Sequence, residues 1–339
     1  MTVATPVAKP PARRWRFGLR FSLRAFLGGV TLFCVLLAWQ LHRARQQKEA
    51  VRAIQTAGGW VHYDYQRPDS LTSNFDPLAT PWEPPWLLDL LGIDFFHDVV
   101  EVNMVYNDDS KPRRDNNGPA VNIAPQLAHF PRLRWLLISG PYIDDGGMAA
   151  VGRLKRLESF YQWDGAHITD AGVAHLQNMP WLTYIHLSMS QVGDRGLATL
   201  ARLPNLEGLS MQRNKFTDAG LVHLAGHPKL KELWIGHLHG LSPITDVGVV
   251  HLAKIPNLEE LDLQHTRVTP AGLKPLAALP NLKNLYLDGS TANDLDAVAP
   301  IFPNCRVDAR KKPQSDSIVG GDGQNVDFEK MIDPTSTED

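Results

Sequence analysis

The phrase ITDAGVAHLQNMPWLTYIHL at residues 168–187 returns as FTDAGLVHLAGHPKLKELWI at 216–235, ITDVGVVHLAKIPNLEELDL at 244–263 and VTPAGLKPLAALPNLKNLYL at 268–287. A recurring period constrains the fold more than any local propensity, because each copy must build the same unit. The glycine of the phrase stands at Gly147, Gly172, Gly196, Gly220, Gly248 and Gly272, at steps of 25, 24, 24, 28 and 24 residues. A second marker, apolar-x-x-apolar-x-apolar, begins at Leu133, Leu157, Leu182, Leu206, Leu230, Leu258 and Leu282, at steps of 24, 25, 24, 24, 28 and 24. Two independent markers keep one count.

Each copy reads as a strand followed by a short helix. In Leu206-Glu-Gly-Leu209-Ser-Met211 the apolar residues alternate inward, a strand pattern. Thr217 follows as a helix N-cap, with Thr169, Thr245 and Thr269 as equivalents. Pro270 suits a first helical position. Asp170, Asp218 and Asp246, beside the cap, are expected to favour the helix N-terminus electrostatically. Pro180, Pro204, Pro228, Pro256 and Pro280 stop each helix and aim the chain into the next strand. One such unit cannot bury its apolar face alone, whereas stacked units share a core.

Leu206 to Phe216, with Asn214, matches L-x-x-L-x-L-x-x-N-x-L, and the chain from about 121 to 308 resembles the leucine-rich repeat family in the subclass that carries T-D-x-G-L. The resemblance implies an α/β solenoid, or horseshoe, with a parallel sheet on its concave side. It does not name a ligand, because fold does not fix function. A basic start, one apolar span, GGWVHYD and FFHDVVEV ahead of the repeats are also similar to single-span bacterial leucine-rich repeat proteins of unassigned activity.

The expected organisation is a basic tail at 1–20, a transmembrane helix at 21–41, a juxtamembrane helix at 42–57, an N-terminal capping region at 58–120, the repeats at 121–308 and a disordered tail at 309–339. Phe21 to Leu41 is long enough to cross a hydrocarbon core of about 30 Å at about 1.5 Å per residue. Lys9, Arg13, Arg14, Arg16, Arg20 and Arg24 outnumber the basic residues behind the run, which places the N-terminus in the cytoplasm and the repeats outside it. A cleaved signal peptide is the competing reading, although no A-x-A-like site follows. The net charge of −2 gives no general call for nucleic acid, and Cys34 and Cys305 make no disulfide framework.

Outward strand residues form two columns on the concave face: Leu137, Tyr161, His186, Ser210, Trp234, Asp262, Tyr286, and Trp135, Ser159, Tyr184, Gly208, Glu232, Glu260, Asn284. Aromatic residues are enriched at interface cores. The candidate binding residues are therefore Trp135, Tyr161, Trp163, Tyr184, His186, Trp234, Glu260, Asp262 and Tyr286. They suit a protein or peptide ligand, with a glycan as an alternative for exposed rings. The competing reading is that these rings only pack on one another across strands.

The 28-residue copy carries an insertion, Gly236 to Pro243, in which His237 and His239 stand near His265. Three imidazoles can hold zinc, yet a solvated polar loop explains them as well, and no metal site is expected. His223 and His227 are four apart, but His227 replaces an apolar residue of other copies and is expected to be partly buried. Gln162 is a similar irregularity on a strand. No P-loop, G-x-S-x-G, H-E-x-x-H or C-x-x-C occurs, so neither an enzyme nor a cofactor is expected. The leading expectation is a membrane-anchored interaction module. A structural envelope scaffold without a discrete ligand is second, and a metal-dependent enzyme on His237, His239 and His265 a distant third.

Overall fold

The computed structural model describes residues 23–66, 79–105, 122–236, 242–287, 298–308, 318–319 and 325–326. The chain divides into two compact units, residues 1–43 and 44–339. Helix α1, Leu23–Thr56, runs through the boundary. The expected span and juxtamembrane helix are thus one unbroken helix. Its first part carries a window apolar and long enough to cross a membrane by length and composition, a test that a signal sequence also passes.

From Ala44 onward the same helix belongs to the second unit. Ala44, Gln47, Ala50, Val51 and Ile54 are buried along one stripe. Ala50, Val51 and Ile54 join the core that also holds Val99, Val102 and Met104. This part of α1 thus packs in one core with strand residues of the expected capping region.

The cap continues with β1 (Trp60–Tyr63), α2 (Pro85–Leu91) and β2 (Val99–Met104). The repeats supply β3 (Trp135–Ser139), β4 (Ser159–Trp163), β5 (Tyr184–Leu187), β6 (Gly208–Ser210), β7 (Glu232–Trp234), β8 (Glu260–Asp262), β9 (Asn284–Tyr286) and β10 (Arg306–Asp308). Ten strands form one sheet in chain order. β1 pairs antiparallel with β2, and every later pair is parallel. The return between strands runs through α3 (Ala124–Leu127), α4 (Asp145–Val151), α5 (Asp170–Val173), α6 (Asp194–Leu200), α7 (Asp218–Leu221) and α8 (Asp246–Leu252). Leucines of strand and helix meet in a core that is continuous from Ala50 to Phe302.

The threonine caps form as expected: the hydroxyls of Thr169, Thr217 and Thr245 accept from the N–H groups of Ala171, Thr217's neighbour Ala219, and Val247. The aspartates do something the sequence reading missed. Each reaches out of its own coil to the start of the next helix. Asp145 accepts from Thr169 N at 2.7 Å, Gly172 N at 3.0 Å and the Thr169 hydroxyl at 2.6 Å. Asp170 takes Gly193 N at 2.7 Å and Gly196 N at 3.0 Å, and Asp194 takes Thr217 N at 2.7 Å. Asp218 and Asp246 repeat this on Thr245 and Thr269. A carboxylate thereby occupies the N-terminus of the following helix, where unpaired N–H groups and the helix dipole favour it. The glycine of the phrase clears the space: a Cβ on Gly172 or Gly248 would lie 2.3 Å from the incoming Asp145 or Asp218 oxygen.

A second inter-coil bond comes from the asparagine position. Asn214 Nδ2 donates to Leu187 O of the previous coil at 2.6 Å and to Met211 O at 3.0 Å. In the coil of β4 that position is Gly165, and the buried Gln162 does the work instead, donating to Gly140 O at 2.8 Å and Trp163 O at 2.9 Å. Backbone thus satisfies its Nε2, while its Oε1 is buried without a hydrogen-bond partner among the described residues. A Cβ on Gly165 would lie 3.0 Å from Gln162 Cγ, so the two positions are matched.

The turn after Pro270 departs from expectation. No α-helix starts there; a 3-10 helix spans Lys274–Ala278. Pro275 has no N–H to offer Ala271 O, so the bonding tightens to Lys274 N to Ala271 O and Leu276 N to Leu273 O. β11 (Ile318–Val319) and β12 (Asn325–Val326) pair antiparallel as a separate two-stranded sheet. The basic tail at 1–20 lies outside the described residues.

Candidate functional site: the concave face

The register puts the candidates in two rows. One runs Glu101, Trp135, Ser159, Tyr184, Gly208, Glu232, Glu260, Asn284, Arg306. The other runs Asn103, Leu137, Tyr161, His186, Ser210, Trp234, Asp262, Tyr286, Asp308. Beside them lies a balanced row of ion pairs, with Arg134 to Glu158 at 2.7 Å and Lys231 to Glu207 at 2.7 Å.

The N-terminal half of the face is a packed surface. Trp135 is 5% and Tyr161 8% exposed. They form a second apolar cluster with Val100, Val105 and Leu137, edged by Trp163 and Tyr184. Tyr161 stacks on Trp163 with centroids 5.6 Å apart and on Tyr184 at 6.0 Å. The Arg134 guanidinium covers the Trp135 ring at 4.4 Å, a cation–π contact. Trp135 and Tyr161 thus pack on rings of neighbouring strands. His186 sits 5.0 Å from the Trp163 ring, its Nε2 2.6 Å from Ser188 Oγ. Burial pushes the His186 imidazole down to about 4.

Tyr184 links the two halves. Its hydroxyl donates to Glu232 Oε2, two strands away. The ring reaches that far because it lies across Gly208, where a Cβ would come 2.3 Å from the ring. The glycine that interrupts the column is thus the bed of the tyrosine.

The C-terminal half combines rings and carboxylates. Trp234 and Tyr286, both half-buried, stack with centroids 5.0 Å apart although they stand on β7 and β9. They close over Asp262, which is 1% exposed and held by Gln212 Nε2 at 3.0 Å and Gln264 N at 2.9 Å. Asp262 is thus buried beneath the two rings. Glu260 accepts from Asn284 at 2.8 Å through Oε1, while its Oε2 has no hydrogen-bond partner among the described residues. Burial, then the Glu260 carboxylate, pushes the Tyr286 phenol up to about 12.

His237 and His239 lie outside the described residues, and His265 stands in a left-handed turn at φ 55°. Asp164, Met189 and Arg213 hold the same turn in other coils, so the position of His265 follows from the repeat. Among the described residues no group of three or more His, Cys, Asp or Glu is arranged to hold a metal. His227 is buried: Nε2 donates to Leu203 O at 3.0 Å and Nδ1 accepts from Leu230 N at 3.1 Å. Burial lowers its pKa. It ties one turn to the preceding coil.

Sequence reasoning also missed a polar cluster in the cap. His97 Nδ1 lies 2.7 Å from Asp64 Oδ1 and Nε2 3.0 Å from Glu83 Oε2. Asp94 accepts from Gln47 at 3.2 Å and from the Tyr63 hydroxyl at 3.0 Å. These residues are dispersed in sequence, and only the packing of α1 on the cap assembles them.

The family model described as Leucine Rich repeat matches residues 178–201 and 254–277, each one full turn of the repeat. No curated protein matches the chain. Among solved structures the chain is similar to an internalin (inlF) from Listeria monocytogenes, at 22% identity and TM-score 0.38, over 54% of this chain and 49% of that one. It is also similar to the plant peptide hormone receptor RGFR1 in complex with RGF2, at 14% identity and TM-score 0.30, over 48% of this chain and 30% of that one. The chain thus spans about half the length of the internalin and less than a third of the receptor. The parallel strands, the asparagine bond between coils and two matched turns in the same frame show that this chain carries leucine-rich repeats.

Proposed function

We propose that the chain is a membrane-anchored recognition module that binds a protein or peptide outside the cytoplasm through the C-terminal half of its concave face. The observation that carries this reading is the stacked, half-buried Trp234–Tyr286 pair on the outward side of β7 and β9. Half-exposed aromatic rings offer a partner apolar contact and a face for a cationic side chain. Charges at such a face set orientation and choice of partner more than raw affinity. The N-terminal cluster under Trp135 and Tyr161 acts as the rigid floor that holds the face in shape.

The test is affinity capture from native envelope extract with the full-length chain and with a folded Trp234→Ala, Tyr286→Ala variant, followed by titration of each purified captured protein. A partner bound by the parent and lost by the variant supports the reading. Identical or empty captures overturn it and favour an envelope scaffold in which no discrete ligand exists. A glycan retained in place of a protein would reassign the same rings to carbohydrate stacking.

A further inference from the structure

Three large apolar side chains stand in the open on the N-terminal cap: Trp82 is 82%, Trp86 65% and Leu90 70% exposed. Trp86 and Leu90 are four residues apart on α2 and so share one face of the helix. Leu87 and Leu88 are half-buried on the other side. The helix has been folded with its smaller apolar surface inward and its largest outward. Such clusters mark interaction surfaces.

The element is held at both ends. Ahead of it, Glu83 bonds the ring of His97 at 3.0 Å. Behind it, Asp94 is held by Gln47 and by the Tyr63 hydroxyl at 3.0 Å. Gln47 also donates to His97 O at 2.8 Å. The anchor of α2 is therefore the first turn of the cap part of α1. In the sequence the apolar run ends at Leu41, six residues before Gln47. Arg45 and Lys48, on the same turn as Gln47, are exposed.

We propose that α2 is an interfacial membrane contact: Trp82, Trp86 and Leu90 enter the headgroup layer of the bilayer in which the N-terminal helix is anchored. The inference rests on the anchoring reading given above. Indole suits that layer because its ring is apolar and its N–H finds a polar partner there. Arg45 and Lys48 bring positive charge to anionic headgroups. Asp89, exposed and next to the apolar face, stays on the water side. A short helix that lies in the interface gives the cap a second hold on the bilayer.

The test places a photoreactive p-benzoylphenylalanine at position 86 of the full chain, reconstituted in vesicles of phosphatidylethanolamine and phosphatidylglycerol. Control positions are Leu36 in the apolar run and Val247, which is 65% exposed on α8. After illumination, mass spectrometry reads the adducts. The expected result is lipid adduct at 36 and 86 in comparable yield and none at 247. Lipid at 36 alone overturns the interfacial contact and leaves the anchor standing. No lipid at 36 overturns the anchor and the contact together. A chain-to-chain adduct at 86 overturns the proposal and assigns the face to a second copy.

Discussion

The carboxylate of Asp218 accepts the Thr245 backbone N–H at 2.9 Å and the Thr245 hydroxyl at 2.6 Å, across 27 residues of sequence. The bond joins two coils that also share leucines, and it is charge-assisted at a helix N-terminus. Asp218→Ala should lower stability by about 2 to 3 kcal/mol, the scale of hydrogen bonds to a charged group. Gly248→Ala, whose Cβ would fall 2.3 Å from Asp218 Oδ1, should cost about 1 to 3 kcal/mol by overpacking. The two changes should not add, because the first removes the atom that the second collides with. Urea denaturation of the two singles and the double measures this; strict additivity would contradict the joint.

Gln162 and Gly165 form a matched pair in which one supplies the bond and the other the room. Gln162→Leu, the residue type of other coils, should cost about 1 kcal/mol net, since burial of leucine offsets part of the lost bonds to Gly140 O and Trp163 O. Gly165→Asn alone should be worse, with its Cβ 3.0 Å from Gln162 Cγ and 2.4 Å from Ser190 Oγ. The double Gln162→Leu, Gly165→Asn rebuilds the pattern seen at Asn214 and should be more stable than Gly165→Asn. Thermal melting of the three variants decides it.

Gly208→Ala should displace the Tyr184 ring, which lies where the new Cβ would stand, and break its bond to Glu232. The predicted signature is a change in near-ultraviolet circular dichroism and weaker ligand capture with little loss of far-ultraviolet signal. Tyr184→Phe keeps the ring and loses only the bond, so it should affect capture less. Equal behaviour of the two would remove Gly208 from any role in shaping the face.

Acid should loosen the repeats through buried histidines. His227 and His186 are held neutral in the fold, with pKa values pushed below the usual 6.5, in the case of His186 to about 4. A base whose folded pKa is depressed contributes stability above its unfolded pKa. That contribution is lost as pH falls through 6.5 toward the folded value, because the unfolded chain takes the proton first. Unfolding midpoints should therefore drop between pH 6.5 and 4. His227→Leu, restoring an apolar turn, should flatten part of the slope and leave the remainder to His186. An unchanged slope in His227→Leu would contradict the assignment.

The sequence made the coil legible because its two markers, Leu206-x-x-Leu209-x-Met211 and Thr217-Asp-x-Gly220, carry the period and the caps on their face. The strand register followed, and with it both rows of outward residues. What stayed hidden was any partner a coil away. Asp218 reads as a local helix-start acid until Thr245 is seen beside it. Trp135 and Asp262 read as open outward positions because strand alternation tells direction but not depth; a neighbouring ring or glutamine decides that. The cap was least legible, since Gln47, Glu83 and His97 belong to no repeat and meet only by packing.

The aspartate joint points one way along the chain. It starts at Asp145, which has a successor in Thr169, and stops at Thr269 and Gly272, since Pro270 stands where the next hook would be. Every interior coil carries both a hook and an eye, and the copy with four extra residues still closes on Thr245. A gene segment that encodes one such coil can therefore be duplicated or lost in frame and the ends will still fasten. The breadth of the concave face is a quantity that recombination can change without inventing a new interface.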